Sequence, residues 1–338
     1  MANAPDDQKI KYRPKHVIEY VGLRVFVWVA RIVPYRAALF AGWIAAWIAH
    51  RIVRFRAAEA RRRIRSVLGD RLSEAQISKV AWVSWRNFIF AMVDLIRLNQ
   101  VNEQWLKAHV PNYDEFYKVF EGSLKVARGA IMACPHIGSS EMGGAAMQAI
   151  GVPIFFITGK QKNPLVDRYL NEMRRSTGIS TIERGSSLLK SVVRKLRQGE
   201  VLGFQPDVRS ATEGVRVRFL GKEANVVGGM ALFAKMADVP IFTSVTRRAN
   251  WTEHFFQLYP PVRPDPAVGK EQDWQRMTQE IFTLIEREIL DRPEQWFWYN
   301  KRWILDPLEP QAAPAETCGA SPAPVAAPDP RPTNPGNG

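Results

Sequence analysis

The stretch GAIMACPHIGSSEMGGAAMQAIG, residues 129 to 151, decides how the rest of the chain is read. GAIMAC is apolar and short, the pattern of a buried strand, and SEMGGAAMQAIG from Ser140 onward has helical spacing. His136 falls between them. In a strand–loop–helix unit the loop lies at the carboxyl end of the strand, where an α/β sheet opens its crevice.

The same alternation continues downstream. VPIFFIT (152–158), STIE (180–183), EVLGFQ (200–205) and VPIFTSVTRR (239–248) read as strands. NPLVDRYLNEMRRSTG (163–178), SSLLKSVVRKLRQG (186–199) and GGMALFAKMAD (228–238) read as helices between them. Two longer helices are predicted at 73–99, opened by Ser73 as N-cap, and at 273–293. The fold class expected is α/β, with a mixed, largely parallel central sheet flanked by helices and an amphipathic, apolar N-terminal helical region that associates with membrane.

That region runs from Val17 to Val53. Arg24 and Arg31 interrupt its first half, and Pro34 separates it from the second. A spanning helix needs about 20 mostly apolar residues, so the pattern fits a Trp-bearing hairpin lying against a membrane interface, or packed on the protein's own core. Seven arginines follow between Arg51 and Arg65, with Arg54, Arg61 and Arg65 expected on one helical face as a headgroup strip. Four segments result: a loose 1–16, a membrane-associating 17–66, a catalytic 67–310, and a disordered 311–338 with seven prolines in 28 residues.

Lys and Arg number 47 against 33 Asp and Glu, a net charge of +14, which favours a polyanionic partner. No aromatic stacking platform or nucleic-acid signature accompanies the charge, so an anionic membrane surface is expected rather than nucleic acid. The two cysteines, Cys134 and Cys318, form no disulfide framework and no zinc spacing, and neither metal nor cofactor is expected.

A histidine oriented by a carboxylate is the arrangement of a general base for a hydroxyl. Glu141, in the first turn of the helix after His136, is expected to reach back to one ring nitrogen. Cys134 reads as a small buried residue, and Ser139 and Ser140 as helix caps. His16, His50, His109 and His254 are scattered. The aromatics of EQWFWYNKRW (294–303) suit a core cluster or an acyl contact.

Four ordered blocks carry a resemblance. His136 and Glu141 form His-x-x-x-x-Glu; TGISTIERG ends a strand on Arg184; FQPD places Pro206 and Asp207 in a turn; MADVPIFTSV is a helix and then a Val-Pro strand. With GVRVRFLGKEANVVGG and PEQWFWYNKRW, the sequence resembles the bacterial lipid A late acyltransferases (the lauroyl/myristoyl transferase family) of the lysophospholipid acyltransferase superfamily, from about Ile32 to Trp303.

The resemblance implies O-acyl transfer from acyl carrier protein or acyl-CoA to a hydroxyl of a lipid A precursor or similar phosphoglycolipid. It would take place on the cytoplasmic side of a bacterial inner membrane, by a peripheral protein or one with a single N-terminal anchor. It gives His136 as base with Glu141, and Arg184, Asp207, Arg209 and Arg247 as substrate-binding candidates, Arg184 for a phosphate and Asp207 to hold that arginine or its loop. The pattern departs where Val226 or Val227 replaces a usual Thr, where Asn300, Lys301 and Arg302 replace His-Arg-Arg, and in the PDVRS turn, all on the acceptor side. A lysophospholipid or phosphatidylinositol-mannoside acceptor, or a non-catalytic lipid-binding protein of the same fold, are the alternatives.

Overall fold

A computed structural model describes residues 13–126 and 129–307. The first twelve residues and the proline-rich tail with Cys318 lie outside the described residues. The expected loose start ends earlier than Lys15 and His16, because α1 already begins at Pro14.

In chain order come α1 (Pro14–Ile32), α2 (Tyr35–Trp47), a π-helical turn (Ile48–Ile52), α3 (Ala57–Leu68), α4 (Glu74–Ile96), α5 (Glu103–His109) and α6 (Tyr113–Val126). The sheet region follows: β1 (Ala130–Ala133), α7 (Ser140–Ala149), β2 (Ile154–Thr158), α8 (Pro164–Arg175), β3 (Ser180–Glu183), α9 (Leu188–Arg197) and β4 (Val201–Phe204). It continues through β5 (Val215–Phe219), β6 (Lys222–Val226), α10 (Gly229–Ala237), β7 (Ile241–Arg248), β8 (His254–Leu258) and α11 (Lys270–Asp291).

Six strands form one sheet in the order β3-β2-β4-β1-β7-β8. The first five run parallel, and β8 pairs antiparallel with β7. β1 lies near the middle and is buried along its whole length. Ile131 and Ala133 face a core shared with α10 and α11, while Ala130 and Met132 face another shared with α6 and α7. A strand covered on both faces reads as an unbroken apolar run, which is why GAIMAC is legible.

Every strand and helix expected between residues 129 and 248 is present. The sequence reading missed α5 and α6, β8, and the β5–β6 hairpin that stands apart from the sheet and packs on α11. The hairpin turns on Leu220 and Gly221, both with positive φ, the backbone of a two-residue turn matched to strand twist. Leu-Gly is an unusual pair there, so the turn carried little signal. α4 opens as expected, with Ser73 Oγ accepting from the Gln76 N–H and the Gln76 side chain accepting from the Ser73 N–H.

The N-terminal segment is a helical pair broken at Pro34, with one face packed and the other bare. Val27 and Ala30 pack against Ile96 and Met173, and Ala38 and Leu39 against Phe90 and Val93. Gly42 lets α2 approach α4 closely; a Cβ there would sit 3.1 Å from Val93 Cγ2. Polar bonds sew the break to the end of α4: Arg31 Nε donates to Ile96 O at 2.8 Å, and Arg97 Nη1 to Val33 O at 2.9 Å. On the other face, fifteen of the nineteen exposed large apolar side chains among the described residues fall between Val17 and Phe55. No single helix among them is long and apolar enough to cross a membrane, although Tyr35–Ile52 with Ala57–Leu68 would pass by length and composition as a pair bent by 84°.

The arginine strip is only partly as expected. Arg54 precedes α3 in a left-handed conformation, so it shares no helical face with Arg61 and Arg65. Arg63 is buried, pairs with Glu59 at 3.1 Å and donates to Trp298 O and Asn300 O, while Arg65 pairs with Glu74. Part of the strip therefore holds the segment around Trp298 and Asn300 instead of facing solvent.

Candidate active site

The carboxyl ends of β1 and β4 lie side by side, since Ala133 registers with Phe204. The loops leaving them therefore meet: CPHIGS after β1 and QPD after β4. The His136 loop is pressed against β7 at Gly138, whose φ is +60° and where a Cβ would lie 2.0 Å from Thr246 O. Only glycine fits there. From the other side the closing segment clamps the loop, with the Phe297 N–H donating to His136 O at 3.0 Å and the Gly138 N–H to Gln295 O at 2.9 Å.

Asp207, not Glu141, holds the histidine ring. Its Oδ1 lies 2.8 Å from His136 Nδ1, and its Oδ2 accepts from the His136 backbone N–H at 2.9 Å and from Trp296 Nε1 at 2.8 Å. A carboxylate only accepts, so Nδ1 carries the proton and, in the neutral ring, Nε2 keeps its lone pair. Asp207 is 3% exposed. Burial alone would push its carboxyl up, but the charge and hydrogen bonds of His136 and the indole of Trp296 hold it below the usual carboxylate range. Burial acts to lower the His136 value, and the nearby charges of Asp207 and Glu141 outweigh it, leaving the imidazole more basic than usual.

Glu141 sits where expected, in the first turn of α7, yet it turns to α8: its Oε1 lies 3.4 Å from Arg174 Nη2. Its Oε2 is buried with no hydrogen-bond partner among the described residues. The reason is geometric. Asp207 arrives from β4 directly behind the ring and occupies Nδ1, so Glu141 contributes charge rather than that hydrogen bond. Arg174 was missed from sequence; in MRRSTG it looks like any arginine at the basic end of a helix.

Two cavities meet at this group. The first, about 280 Å³, is walled by Phe88, Ala91, Met92 and Leu95 of α4 and reaches His136, Glu141 and Arg174. These α4 positions recur at three- and four-residue spacing and form one apolar stripe. The second, about 180 Å³, is more polar; Thr158, Gly159 and Gln161 line it with Glu141, Arg174 and Gln205. Ser140 Oγ accepts from Gln205 Nε2 at 2.9 Å, and Ser139 Oγ makes no capping bond, so neither serine is the cap expected.

The other expected site residues scatter. Asp207 is engaged by His136 and Trp296 rather than by Arg184. Arg247 is taken by Glu288, its Nε 2.8 Å from Oε2, with Tyr259 donating to the same carboxylate. Arg184 is exposed beyond β3, its N–H on Thr158 O. Arg209 donates its backbone N–H to Arg302 O at 3.3 Å, and Arg302 returns a bond to Arg209 O. Arg184 and Arg209 add positive charge around Arg302, whose guanidinium is lowered by burial first and then by both of them. None of Arg184, Arg209 and Arg247 lines the cavity beside His136. Cys134 is buried and its thiol pushed up to about 12, chiefly by burial, which makes it a packing residue. Trp296, Trp298, Tyr299 and Trp303 belong to the core; of the closing aromatics, Phe297 lines the cavity.

The site is thus a carboxylate-held histidine at the carboxyl edge of an α/β sheet, opening on a cavity with an apolar wall. The chain belongs to the bacterial lipid A biosynthesis acyltransferase family, whose model matches residues 7–304. It is 22% identical over 184 residues to the lipid A biosynthesis palmitoleoyltransferase of Escherichia coli K12, covering 54% of this chain and 58% of that protein. To the lipid A biosynthesis acyltransferase of Haemophilus influenzae it is 24% identical over 196 residues, 57% and 59% of the two chains. To the lipid A biosynthesis lauroyltransferase of E. coli K12 it is 24% identical over 184 residues, 53% and 58%. The matched region thus spans less than two thirds of these relatives' length.

Proposed function

We propose that the protein transfers a fatty acyl group from a thioester to a hydroxyl of a lipid A precursor or similar phosphoglycolipid, with His136 as general base. The observation that carries this reading is the pair His136–Asp207 opening on the α4-lined cavity. His136 Nε2 takes the proton of the acceptor hydroxyl as its oxygen attacks the thioester carbonyl. The tetrahedral oxyanion collapses, the C–S bond breaks, and the imidazolium returns the proton to the leaving thiolate. Asp207 fixes the tautomer and stabilises the imidazolium, as the third member of a triad does. Glu141 adds negative charge beside the ring, and Arg174 holds Glu141 at the junction of the two cavities. The first turn of α7, which begins four residues after His136, supplies amide dipoles for the oxyanion.

The acyl chain lies along the α4 stripe, where methylenes leave water for Phe88, Met92 and Leu95, each worth about 0.8 kcal/mol. The more polar cavity receives the thioester arm or the acceptor. An acidic acyl carrier protein suits a chain of net charge +14, and the bare apolar face between Val17 and Phe55 supports peripheral association with a membrane, taken in this reading to be the cytoplasmic surface of a bacterial inner membrane.

Single-turnover transfer from labelled acyl carrier protein and acyl-CoA to a panel of lipid acceptors tests the reading, with His136→Ala alongside. Transfer to a phosphoglycolipid that disappears in the variant is the expected result. Transfer that survives His136→Ala would remove the base from the mechanism, and no transfer to any acceptor would favour a lipid-binding protein of the same fold.

A further inference from the structure

A groove of about 350 Å³ runs between α1 and α8, apart from the catalytic cavities, lined by Arg24, Trp28 and Arg31 on one side and Tyr169 on the other. On a helix, positions 24, 28 and 31 share a face. We infer that this groove seats the phosphate of an anionic membrane phospholipid.

Both arginines are held without being neutralised. Arg24 donates from Nη1 to Tyr20 OH at 3.0 Å, and its guanidinium lies 5.5 Å from the Tyr169 ring centre. Arg31 spends Nε on Ile96 O at 2.8 Å, leaving its four terminal N–H groups. Neither forms an ion pair among the described residues. Glu172 adds negative charge near Arg24 from a distance, and Glu19 is engaged by Lys15 and Asn163.

The surroundings select a lipid over a dissolved anion. Val25, Phe26, Trp28, Val29 and Ile32 flank the groove exposed, Trp28 to 63%. Apolar surface of that kind is covered by acyl chains, while a tryptophan and two guanidinia occupy headgroup level. The groove is also tied to the catalytic wall: Arg31 bonds the carbonyl of Ile96, the residue after Leu95. A lipid seated there fixes the orientation of the α4 stripe to the bilayer. This seat stands whether or not the protein transfers acyl groups.

The test is saturable binding of dihexanoyl phosphatidylglycerol to the full chain below the lipid's micellar concentration. Dihexanoyl phosphatidylcholine and inorganic phosphate serve as comparison ligands. Partition onto phosphatidylcholine vesicles with and without phosphatidylglycerol is measured in parallel. Arg24→Gln, which touches only tyrosines, and the double variant Arg24→Gln/Arg31→Gln are compared with Arg216→Gln/Arg218→Gln on the distant β5 strand, melting curves confirming the fold. The expected result is saturable binding of dihexanoyl phosphatidylglycerol alone. The single variant weakens vesicle partition about fivefold and the double roughly thirtyfold, as expected per arginine at an anionic surface. Equal binding of inorganic phosphate would overturn the lipid assignment. An equal loss in the β5 pair, or no loss in the α1 variants, would overturn the seat.

Discussion

Trp296 donates its indole N–H to Asp207 Oδ2 at 2.8 Å, on the oxygen that also receives the His136 backbone N–H. Three donors thus converge on one buried carboxylate, from a loop after β1 and from the chain's closing segment. The aromatic ending therefore supports the proposed base directly, besides filling the core.

Replacing Trp296 by Phe keeps the ring volume and removes that donor. A hydrogen bond to a buried charge contributes about 1.5–3 kcal/mol, so urea unfolding of Trp296→Phe should show a loss of that size. An unchanged midpoint would mean the indole bond contributes nothing to stability.

The two carboxylates near His136 should differ in weight. Asp207→Asn loses the charge, and with its one amide oxygen accepting from the His136 and Trp296 N–H groups its NH2 faces Nδ1 and favours the wrong tautomer. Loss of such an orienting acid costs up to about 10⁴ in turnover in a serine-protease triad. The expected order in single-turnover transfer is Asp207→Asn far below Glu141→Gln, with the latter losing about 10-fold or more through charge alone. Equal losses, or a larger one for Glu141→Gln, would return the orienting role to Glu141.

pH gives a separate check. A base must be neutral, and His136 is held above its usual value near 6.5. Transfer rate should rise with pH through a midpoint above that value, and Asp207→Asn should move the midpoint down. Stability runs the opposite way for this group. A histidine raised in the folded state contributes fully below its unfolded pKa, and the contribution is lost as pH rises through the folded value. Asp207, held low, contributes above its unfolded pKa, and that part is lost as pH falls through the folded value. Titrating urea midpoints of the parent and of His136→Ala checks the coupling: the variant should lose the high-pH limb and show a smaller low-pH limb, because His136 is what chiefly holds Asp207 down.

Ala91 is the smallest side chain on the cavity face of α4, between Phe88 and Leu95. Ala91→Phe should fill that part of the cavity and shift donor preference to shorter chains, lowering kcat/KM for long donors by about 10-fold or more. A chain-length profile identical to the parent would place the acyl group elsewhere.

Below the N-terminal helices, Asp94 accepts from Tyr35 OH at 2.7 Å and pairs with Arg248, with His254 packed beside them and its pKa lowered to about 3, mainly by burial. Asp94→Ala strands a buried guanidinium and should cost about 3–5 kcal/mol. It should also speed limited proteolysis near α2, because Tyr35 loses its anchor. A loss below 1 kcal/mol would show that the group relaxes or hydrates.

The sequence by itself determined the alternation of strands and helices from residue 129 to 248, the break at Pro34 and the cap at Ser73. Each of these is a local consequence of apolar period, proline geometry or a side chain bonding its own backbone. It also singled out His136, because a histidine between a buried strand and a helix stands out by position. Tertiary structure decided which carboxylate serves it. Glu141 was near in sequence, but the parallel pairing of β1 with β4 delivers Asp207, 71 residues away, to Nδ1. Pairing register, and not spacing along the chain, fixes such a distance. The same holds for Arg174, Trp296 and the α4 stripe, which elements packed across the sheet edge bring to the histidine, and for Arg247, which pairs with Glu288 of α11 and does not line the cavity beside His136. Local chemistry chose the elements, and long-range burial chose their partners.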